Sequence, residues 1–444
     1  MTREAFEKQI HFPDNFDVKC RTHKVRGHLI YIYFLSSLSS GERQDEFYRS
    51  LQEMTSLRQF QNRAAAIGLE DAKEEDPVHL FFQGVTVIYL DEKLSFQADF
   101  RDYPGRGIEE PMAEKSVRGS RDGFSENYIV NIGLIRRRMK SPHLIIETKY
   151  ISKRSDCPVG IVYLDDFVSK EELDELHRRF DQIDPESLIM SDRSLEELLY
   201  KQRYNPFPCV RYTERPDIVS MSLMQGKIAI VVDTSASVMI TPISFFDHLK
   251  HVEEFRQSPI IGTFTKILRL IALFLAFFSI PFWLSYRDYT FFSPIPEGYY
   301  FNFAWQAIFL ELTFEVIERA TLHVPTYISS ALSLIAGIIL GTVSQSIGVF
   351  HETVLFICAL SSLANLSCPS YELSMSLKVT KMAFLFLTAF FGKNGFLIGM
   401  TVLFLYLGKM EILKKGYLFP LLPFDEKEFL RLLIRKDAKK RKDL

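Results

Sequence analysis

The 444-residue chain lacks the features that most enzyme, metal-binding and secreted classes require. It has five cysteines, with no C-x-x-C pair and no other metal-ligand spacing, so neither a disulfide framework nor a zinc site is expected. A phosphate loop of the G-x-x-x-x-G-K-[ST] type is missing, as are G-x-S-x-G and H-E-x-x-H. We therefore expect no enzymatic activity, no cofactor and no metal ion.

The N-terminal half lacks both an apolar leader and a basic stripe. Residues 1–24 are charged throughout, so we expect no cleavable signal peptide. Residues 1–263 carry 35 basic and 42 acidic side chains. That acidic balance argues against nucleic acid as a partner. Basic residues near the end of this segment, Arg256, Lys266 and Arg269, favour a cytoplasmic location for it.

Charge becomes scarce after Thr263. Residues 264–410 carry 8 basic and 7 acidic side chains, and long stretches carry none. Such composition is typical of chain embedded in a lipid bilayer. We predict an all-α polytopic membrane domain of four to six helical segments at 264–410, with a break near Gly392. A basic cytoplasmic tail follows at 411–444.

The soluble region mixes strand and helix patterns, which predicts two α/β or α+β subdomains at 1–98 and 99–255. Residues 85–90 and 94–100 flank a polar turn and predict a β-hairpin. Residues 170–182 have the apolar spacing of a helix. Residues 218–224 and 228–232 predict a second hairpin around Gly226. No convincing internal repeat is evident.

A hydrophobic strand over residues 161–164 ends in Asp165 and Asp166. Carboxylates at a strand end can hold Mg²⁺ in phosphoryl-transfer enzymes. Because no phosphate loop accompanies them, capping of the helix that starts near Lys170 is the favoured role.

An arginine-rich stretch follows the first subdomain. Ser125 and Glu126 are predicted to cap a helix that runs to Arg138, where cations complement the helix dipole. The favoured role of the arginines is to pair with Glu109, Glu110 and Glu114 and hold two subdomains, or neighbouring subunits, in register; a ligand site is the alternative. The arginines are Arg118, Arg121, Arg136, Arg137 and Arg138.

Several long strings in this region resemble the GerA family of spore germination membrane proteins, and the resemblance covers nearly the whole chain. They are P-x-R-x-x-E-E-P from Pro104, A-E-x-x-V-R-G from Ala113, G-F-S-E-N from Gly123, N-x-x-L-I-R-R-R from Asn131, N-P-F-P from Asn205 and T-E-R-P-D from Thr213. The resemblance implies release of monovalent cations across the spore inner membrane early in germination. It also implies homo-oligomeric assembly and contact with membrane lipid and other germination membrane proteins.

Two features of the membrane region could line an ion pathway. Glu311, Glu315 and Glu318 share one helical face, either at bilayer depth or on a helix lying at the interface. Small residues recur along 330–348 and suit close helix packing or a narrow pore; the pore-lining candidates are Ser333, Gly337, Gly341 and Ser344. Lys378 and Lys381 are expected to snorkel to an interface.

Together these features favour a germination protein that forms, or contributes to, a monovalent-cation channel. The alternatives are an A-type subunit of a nutrient germinant receptor, a secondary transporter, and a scaffold without conductance.

Overall fold

The computed structural model describes residues 1–25, 27–52, 69–71, 76–102, 120, 122–202, 204–251, 254, 256–322 and 334–434. The chain forms two compact units. The first consists mainly of residues 1–203 and 209–243, and the second of residues 204–208 and 244–442. The first unit mixes helices with β-sheets and the second is mostly helical, in the order that the sequence predicts.

The first unit begins with a five-stranded sheet. Its elements are α1 (Arg3–Gln9), β1 (Val18–Val25), β2 (His28–Leu35), α2 (Gly41–Gln52), β3 (Leu69–Asp71), α3 (Pro77–Phe82), β4 (Thr86–Leu90) and β5 (Lys93–Ala98). The strands lie in the order β1-β2-β4-β5-β3, with neighbours antiparallel. The hairpin predicted at 85–100 is confirmed by β4 and β5.

A second five-stranded sheet completes the first unit. Its elements are α4 (Tyr128–Arg138), β6 (Leu144–Ile151), β7 (Cys157–Leu164), α5 (Lys170–Asp181), α6 (Ser191–Tyr200), β8 (Arg211–Thr213), α7 (Pro216–Leu223), β9 (Ile228–Val232) and β10 (Val238–Thr241). The strand order is β6-β7-β9-β10-β8, again antiparallel. The helix predicted at 170–182 is confirmed by α5.

The hairpin predicted from residues 218–224 is wrong. These residues lie mostly in helix α7, which has Pro216 in its first turn, and β9 pairs instead with β7 and β10. A short apolar run fits a strand and a buried helix equally well. Proline in the first helical turn, where its missing N–H costs nothing, is the signal that decides between them.

The two sheets repeat one topology, which the sequence did not suggest. In each, two strands are followed by one or two helices, then by a short edge strand, a helix and two final strands. The described strands have the same spatial order in both sheets. The chain from Gln83 to Asp91 reads QGVTVIYLD and the equivalent chain from Gln225 to Asp233 reads QGKIAIVVD. In both, the glycine has a positive φ, 94° at Gly84 and 76° at Gly226, which glycine adopts without strain.

The second unit is built from helices that are apolar on much of their surface. They are α8 (Pro259–Arg287), α9 (Phe303–Leu322), α10 (Leu334–Ser346), α11 (Glu352–Asn365), α12 (Tyr371–Lys409) and α13 (Glu426–Leu433), with a small hairpin of β11 (Glu411–Ile412) and β12 (Lys415–Gly416). Among the described residues, α8 and α12 are long and apolar enough to cross a membrane. Phe264, Ile271 and Phe274 of α8 are exposed on the protomer.

Helix α12 folds back on itself at Gly392, as the sequence predicts. Gly392 has φ 56° and ψ −131°, which interrupts the helix. The two halves then pack closely, since a Cβ at Gly395 would lie 2.1 Å from the Leu387 carbonyl oxygen and one at Gly399 would lie 2.2 Å from the Phe384 ring. Glycines at these positions let the two backbones approach.

Candidate functional site

The innermost carboxylate of α9 forms a buried ion pair with α12. Lys381 Nζ lies 2.7 Å from Glu311 Oε2, and the two side chains are 6% and 9% exposed. Lys381 also donates to the Ser361 hydroxyl of α11 at 3.0 Å. Ser361 donates in turn to the Ala276 carbonyl of α8 at 2.7 Å. One ammonium group therefore connects four helices.

This pair is incompletely satisfied. Glu311 Oε1 is buried and has no hydrogen-bond partner among the described residues. Burying a charge costs several kcal/mol per ion, and the attraction between partners offsets that cost only when the remaining hydrogen bonds are also made. The free carboxylate oxygen is thus an acceptor that a water molecule or a cation can use.

The two outer carboxylates of α9 share a second lysine. Lys378 Nζ lies 3.0 Å from Glu315 Oε2 and 2.5 Å from Glu318 Oε2. Arg319 Nε, one turn along α9, lies 2.9 Å from Glu315 Oε1. The expected snorkelling of Lys378 and Lys381 is therefore wrong: both ammonium groups are held by carboxylates of a neighbouring helix.

A cavity of about 340 Å³ adjoins all of these ion pairs. This volume is large enough to hold several water molecules. Besides the charged groups, its lining includes the polar side chains of Ser362 and Asn365 and the apolar Phe314 and Met382. Three carboxylates face three cations around it, so an entering cation must compete with a lysine or arginine for a carboxylate.

The small-residue stripe lies apart from this cavity. Ser333 lies outside the described residues. A Cβ placed at Gly337 or Gly341 of α10 would meet no described atom within 4 Å, so this face has no neighbour in the described part of the protomer. Ser344 is buried and its hydroxyl donates to the Leu340 carbonyl of its own helix.

A π-helical turn spans Ile339–Val343 within α10. Such a turn inserts an extra residue per hydrogen-bonded ring and shifts the side chains that follow it around the helix axis. The regular three-to-four spacing read from the sequence is therefore interrupted between Gly337 and Ser344.

One arginine of the predicted interface lies at the centre of the first unit. Arg136 Nε and Nη2 donate to the two carboxylate oxygens of Asp17 at 3.0 and 2.8 Å, and both side chains are fully buried. Asn15 bonds the backbone of Leu144 and Ile146 beside it. The segment that leads into β1 is thereby attached to the second sheet.

The other predicted interface arginines occupy different surroundings. Arg138 donates to Ser120 and Asp122 at 2.6 Å, and Arg137 is exposed. Arg118 and Arg121 lie outside the described residues, as do Glu109, Glu110 and Glu114. The cap of α4 is Asn127, whose side chain accepts from Val130 N, in place of the predicted Ser125 and Glu126.

Asp165 does not cap helix α5. That helix starts after Ser169, which makes no side-chain cap bond. Asp165 accepts instead from His143, at 2.8 Å, across the ends of β6 and β7. Among the described residues, His143, Asp165 and Asp166 lie close enough together to contact one ion, but all three are at least partly exposed and nothing else distinguishes them as a metal site.

The sequence reasoning found the three glutamates but missed their partners. A signal was present: Lys378 and Lys381 lie three residues apart on α12, and the glutamates of α9 have a similar spacing, at positions 311, 315 and 318. Ionisable groups at bilayer depth normally pair with one another. Asp17, the partner of Arg136, carries no local signal.

Comparison with known proteins identifies the family. Residues 4–443 match the family model described as Bacillus/Clostridium GerA spore germination protein. The chain is 32% identical to stage V sporulation protein AF of Bacillus subtilis (strain 168), with 97% of this chain and 91% of the relative covered. Identity to spore germination protein GerLA of Bacillus cereus is 26%, covering 93% and 88%.

The chain also shows a distant likeness to a solved structure, the N-terminal domain of the A subunit of the Bacillus megaterium spore germinant receptor GerK3. Identity is 21% and the TM-score is 0.41, with 55% of this chain and 93% of that one covered. On the full-length family match and the 32% identical relative, the chain belongs to the GerA family of spore germination proteins.

Proposed function

We propose that this protein forms, or contributes to, a monovalent-cation channel in the spore inner membrane, as a homo-oligomer with its mixed α/β unit in the cytoplasm. No enzymatic reaction is part of the proposal. The observation that carries it is the cavity of about 340 Å³ in the helical unit, lined by paired carboxylates and cations. Charged groups at bilayer depth are costly and normally mark ion or proton pathways.

Glu311 is the group in that cavity best placed to interact with a passing cation. Its Oε2 is engaged by Lys381, whereas its Oε1 is buried without a described partner. A partly dehydrated cation that reached this oxygen would regain one ligand. Glu315 and Glu318, which are more exposed than Glu311, are paired with Lys378 and Arg319 and would attract a cation by exchanging those partners for it.

The face of α10 around Gly341 would meet a second subunit or the pore itself. A Cβ at Gly341 would meet no described atom of the protomer within 4 Å, so this position leaves room on the described side for contact with another subunit or with permeating ions.

The test is K⁺ flux through the purified protein in liposomes. We expect flux for the wild type and at least a tenfold loss for Gly341→Trp, with Ile339→Trp, another exposed position of α10, as the matched control. Glu311→Gln, which leaves the buried Lys381 without its carboxylate, is expected to lower K⁺ flux when measured on protein that is still assembled. Absence of flux from well-folded oligomers, or flux indifferent to Gly341→Trp, contradicts the channel.

The same assay separates the alternatives. An A-type receptor subunit would conduct only together with its partner membrane proteins, and a transporter would show saturable uptake. Membership of the GerA family is compatible with the receptor alternative as well as with the channel.

A further inference from the structure

The cavity between α9 and α12 has a balanced set of charges. Each charged group among its described lining residues contacts a partner of opposite charge. The acids are Glu311, Glu315 and Glu318, and the bases are Arg319, Lys378 and Lys381. The described lining therefore carries no excess charge that would hold a simple ion.

One carboxylate oxygen in this lining is a buried acceptor. Glu311 is 8% exposed. Its Oε2 is held by Lys381, and its Oε1 has no hydrogen-bond partner among the described residues. A buried acceptor without a donor is costly, because it has lost its hydrogen bonds to water. A ligand that brings an N–H donor to this oxygen would remove that cost.

Donors for an anionic group lie nearby. Lys378 precedes Lys381 by three residues, which is about 4.5 Å along the axis of α12. Its ammonium has three N–H donors and contacts two carboxylates of α9. Arg319 Nη2 donates to the sulfur of Met375 at 2.9 Å, and a thioether is a weak acceptor. Both cations can therefore donate to an anionic ligand as well.

This arrangement favours a dipolar ligand over a simple ion as a lasting occupant. A cation that displaced Lys381 from Glu311 would leave a buried ammonium uncompensated, and an anion that displaced Glu311 would leave a buried carboxylate so. Removing one partner of a buried ion pair is strongly destabilising. A ligand that carries both charges supplies a partner to each side. Brief contact with a simple cation, which conduction requires, remains compatible with this arrangement.

Apolar side chains complete the lining of the cavity. They include Leu312, Phe314, Val379 and Met382. Leu312 and Val379 are 45% and 65% exposed, so the cavity reaches the surface of the protomer beside apolar groups. Ligand pockets commonly combine an apolar lining with a few polar groups, at volumes of about 300–1,000 Å³. The volume of about 340 Å³ therefore suits a small organic group.

We propose that this cavity binds a dipolar organic ligand, in which a short linker joins a primary ammonium to an anionic group. The ammonium would donate to Glu311 Oε1, and the anionic group would accept from Lys378 and Arg319. The headgroup of phosphatidylethanolamine has this chemistry, as do small dipolar molecules dissolved in water. In the proposed channel the ligand would compete with K⁺ for Glu311 and lower the flux. That consequence rests on the proposed function, whereas binding does not.

The test is saturable binding of radiolabelled glycerophosphoethanolamine to the full-length protein in phosphatidylcholine nanodiscs. Glycerophosphocholine is the matched control ligand, because its quaternary ammonium has no N–H donor for Glu311 Oε1. We expect the ethanolamine compound to bind at least about fivefold more tightly, since a hydrogen bond to a charged group is worth more than a neutral one. Equal affinity for the two compounds, or no saturable binding of either, overturns the proposal.

Substitutions on the cationic side locate the site. Lys378→Gln should weaken binding of glycerophosphoethanolamine at least about fivefold. The control is Lys393→Gln, which changes an exposed lysine of the same helix and should leave binding unchanged. Arg319→Gln, at a side chain that is 51% exposed, should also weaken binding and covers the case in which Lys378→Gln does not fold. Affinity that neither Lys378→Gln nor Arg319→Gln lowers overturns the proposal.

The lipid composition of the nanodiscs identifies the source of the ligand. If a lipid headgroup fills the cavity, replacing part of the phosphatidylcholine by phosphatidylethanolamine should lower binding of the soluble compound by competition. Unchanged binding would assign the ligand to the aqueous phase. Both measurements are independent of K⁺ flux. A protein that conducts without binding overturns this proposal alone, and one that binds without conducting overturns the channel alone.

Discussion

The two units of this protein each contain a buried ion pair, and the two pairs differ in how completely they are satisfied. Arg136 in the mixed unit uses Nε and Nη2 on Asp17 and Nη1 on the Leu144 carbonyl at 3.2 Å. Ser37 supplies a further hydrogen bond to Asp17 at 2.9 Å. The pair between Lys381 and Glu311 in the helical unit leaves Glu311 Oε1 without a described partner, beside a cavity.

The difference separates a structural role from a functional one. A pair whose donors and acceptors are filled can only hold segments together, because any rearrangement leaves a buried group unpaired. A pair with a spare acceptor next to space for water can exchange partners at lower cost. The first pair therefore attaches residues 15–17 to the second sheet, whereas the second has an acceptor available to water or, under the proposed function, to a cation.

Removing Arg136 tests the structural pair and should have the largest effect. Arg136→Met leaves the Asp17 carboxylate buried and uncompensated, so we expect a loss of about 3–5 kcal/mol in the free energy of unfolding of the mixed unit. Hydrogen exchange of β1 and β6 amides in the full-length protein measures this locally. Arg137→Met is the matched control, an exposed arginine in the same helix, with an expected change under about 1 kcal/mol. Similar losses for both variants would contradict the assignment.

Removing Lys381 tests the second pair. We expect Lys381→Met to destabilise the helical unit by about 2 kcal/mol, less than Arg136→Met, because water from the adjoining cavity can solvate Glu311. Both tryptophans, Trp283 and Trp305, lie in the helical unit, so their fluorescence on heating reports its unfolding. Adding Glu311→Gln should recover part of the loss. A loss as large as that of Arg136→Met would show that the pair between Lys381 and Glu311 is as rigid as the pair between Arg136 and Asp17.

Sequence alone was sufficient where the signal is local. The order of the two units follows from the loss of charge after Thr263, and the hairpin at 86–98 and the break at Gly392 follow from turn residues within a few positions. Helix α7 was missed because its apolar run is short enough for either structure. The repeated sheet was missed because little more than a shared Gln-Gly and a later aspartate mark it.

Sequence was insufficient where partners are distant along the chain. Asp17 and Arg136 are 119 residues apart, and neither neighbourhood indicates the other. The acidic face of α9 was found from its spacing, but its cavity exists only because α12 packs against it. The stripe of α10 was read as regular, and the π-helical turn that interrupts it has no recognised signal in the sequence.

A smaller effect on stability is expected to distinguish a glycine in close contact with a neighbouring backbone from a glycine without such a contact. A Cβ at Gly395 would lie 2.1 Å from the Leu387 carbonyl oxygen, whereas one at Gly337 meets no described atom within 4 Å. We expect Gly395→Ala to destabilise the helical unit by about 1–3 kcal/mol. Gly337→Ala should leave the protomer unchanged or stabilise it by up to about 1 kcal/mol. Thermal unfolding of dispersed protomers in detergent compares them, and a larger loss for Gly337→Ala would be inconsistent with the packing described.

The smallest effects concern two glutamates of the mixed unit, which differ in the same way as the two buried ion pairs. Arg178 and Arg179 hold the pKa of Glu175 down to about 2, so its ion pairs stabilise the fold fully above the ordinary pKa of about 4.5 and are lost as pH falls from there toward 2. Burial instead raises the pKa of Glu196, whose Oε1 has no described partner. The native state then binds more protons than the unfolded state, so stability falls as pH rises from about 4.5 to that raised pKa.

Gln substitutions at these two positions should therefore act in opposite directions. As pH rises from 3 to 7, we expect Glu175→Gln to become less stable relative to the wild type and Glu196→Gln to become more stable, each by about 1 kcal/mol or less. Hydrogen exchange of β6 and β9 amides, corrected for the intrinsic pH dependence of exchange, measures the differences. Parallel pH profiles for both variants would mean that the unpaired oxygen of Glu196 is solvated in solution. The difference between carboxylates with and without a full set of hydrogen bonds would then apply only to the ion pairs at Arg136 and Lys381.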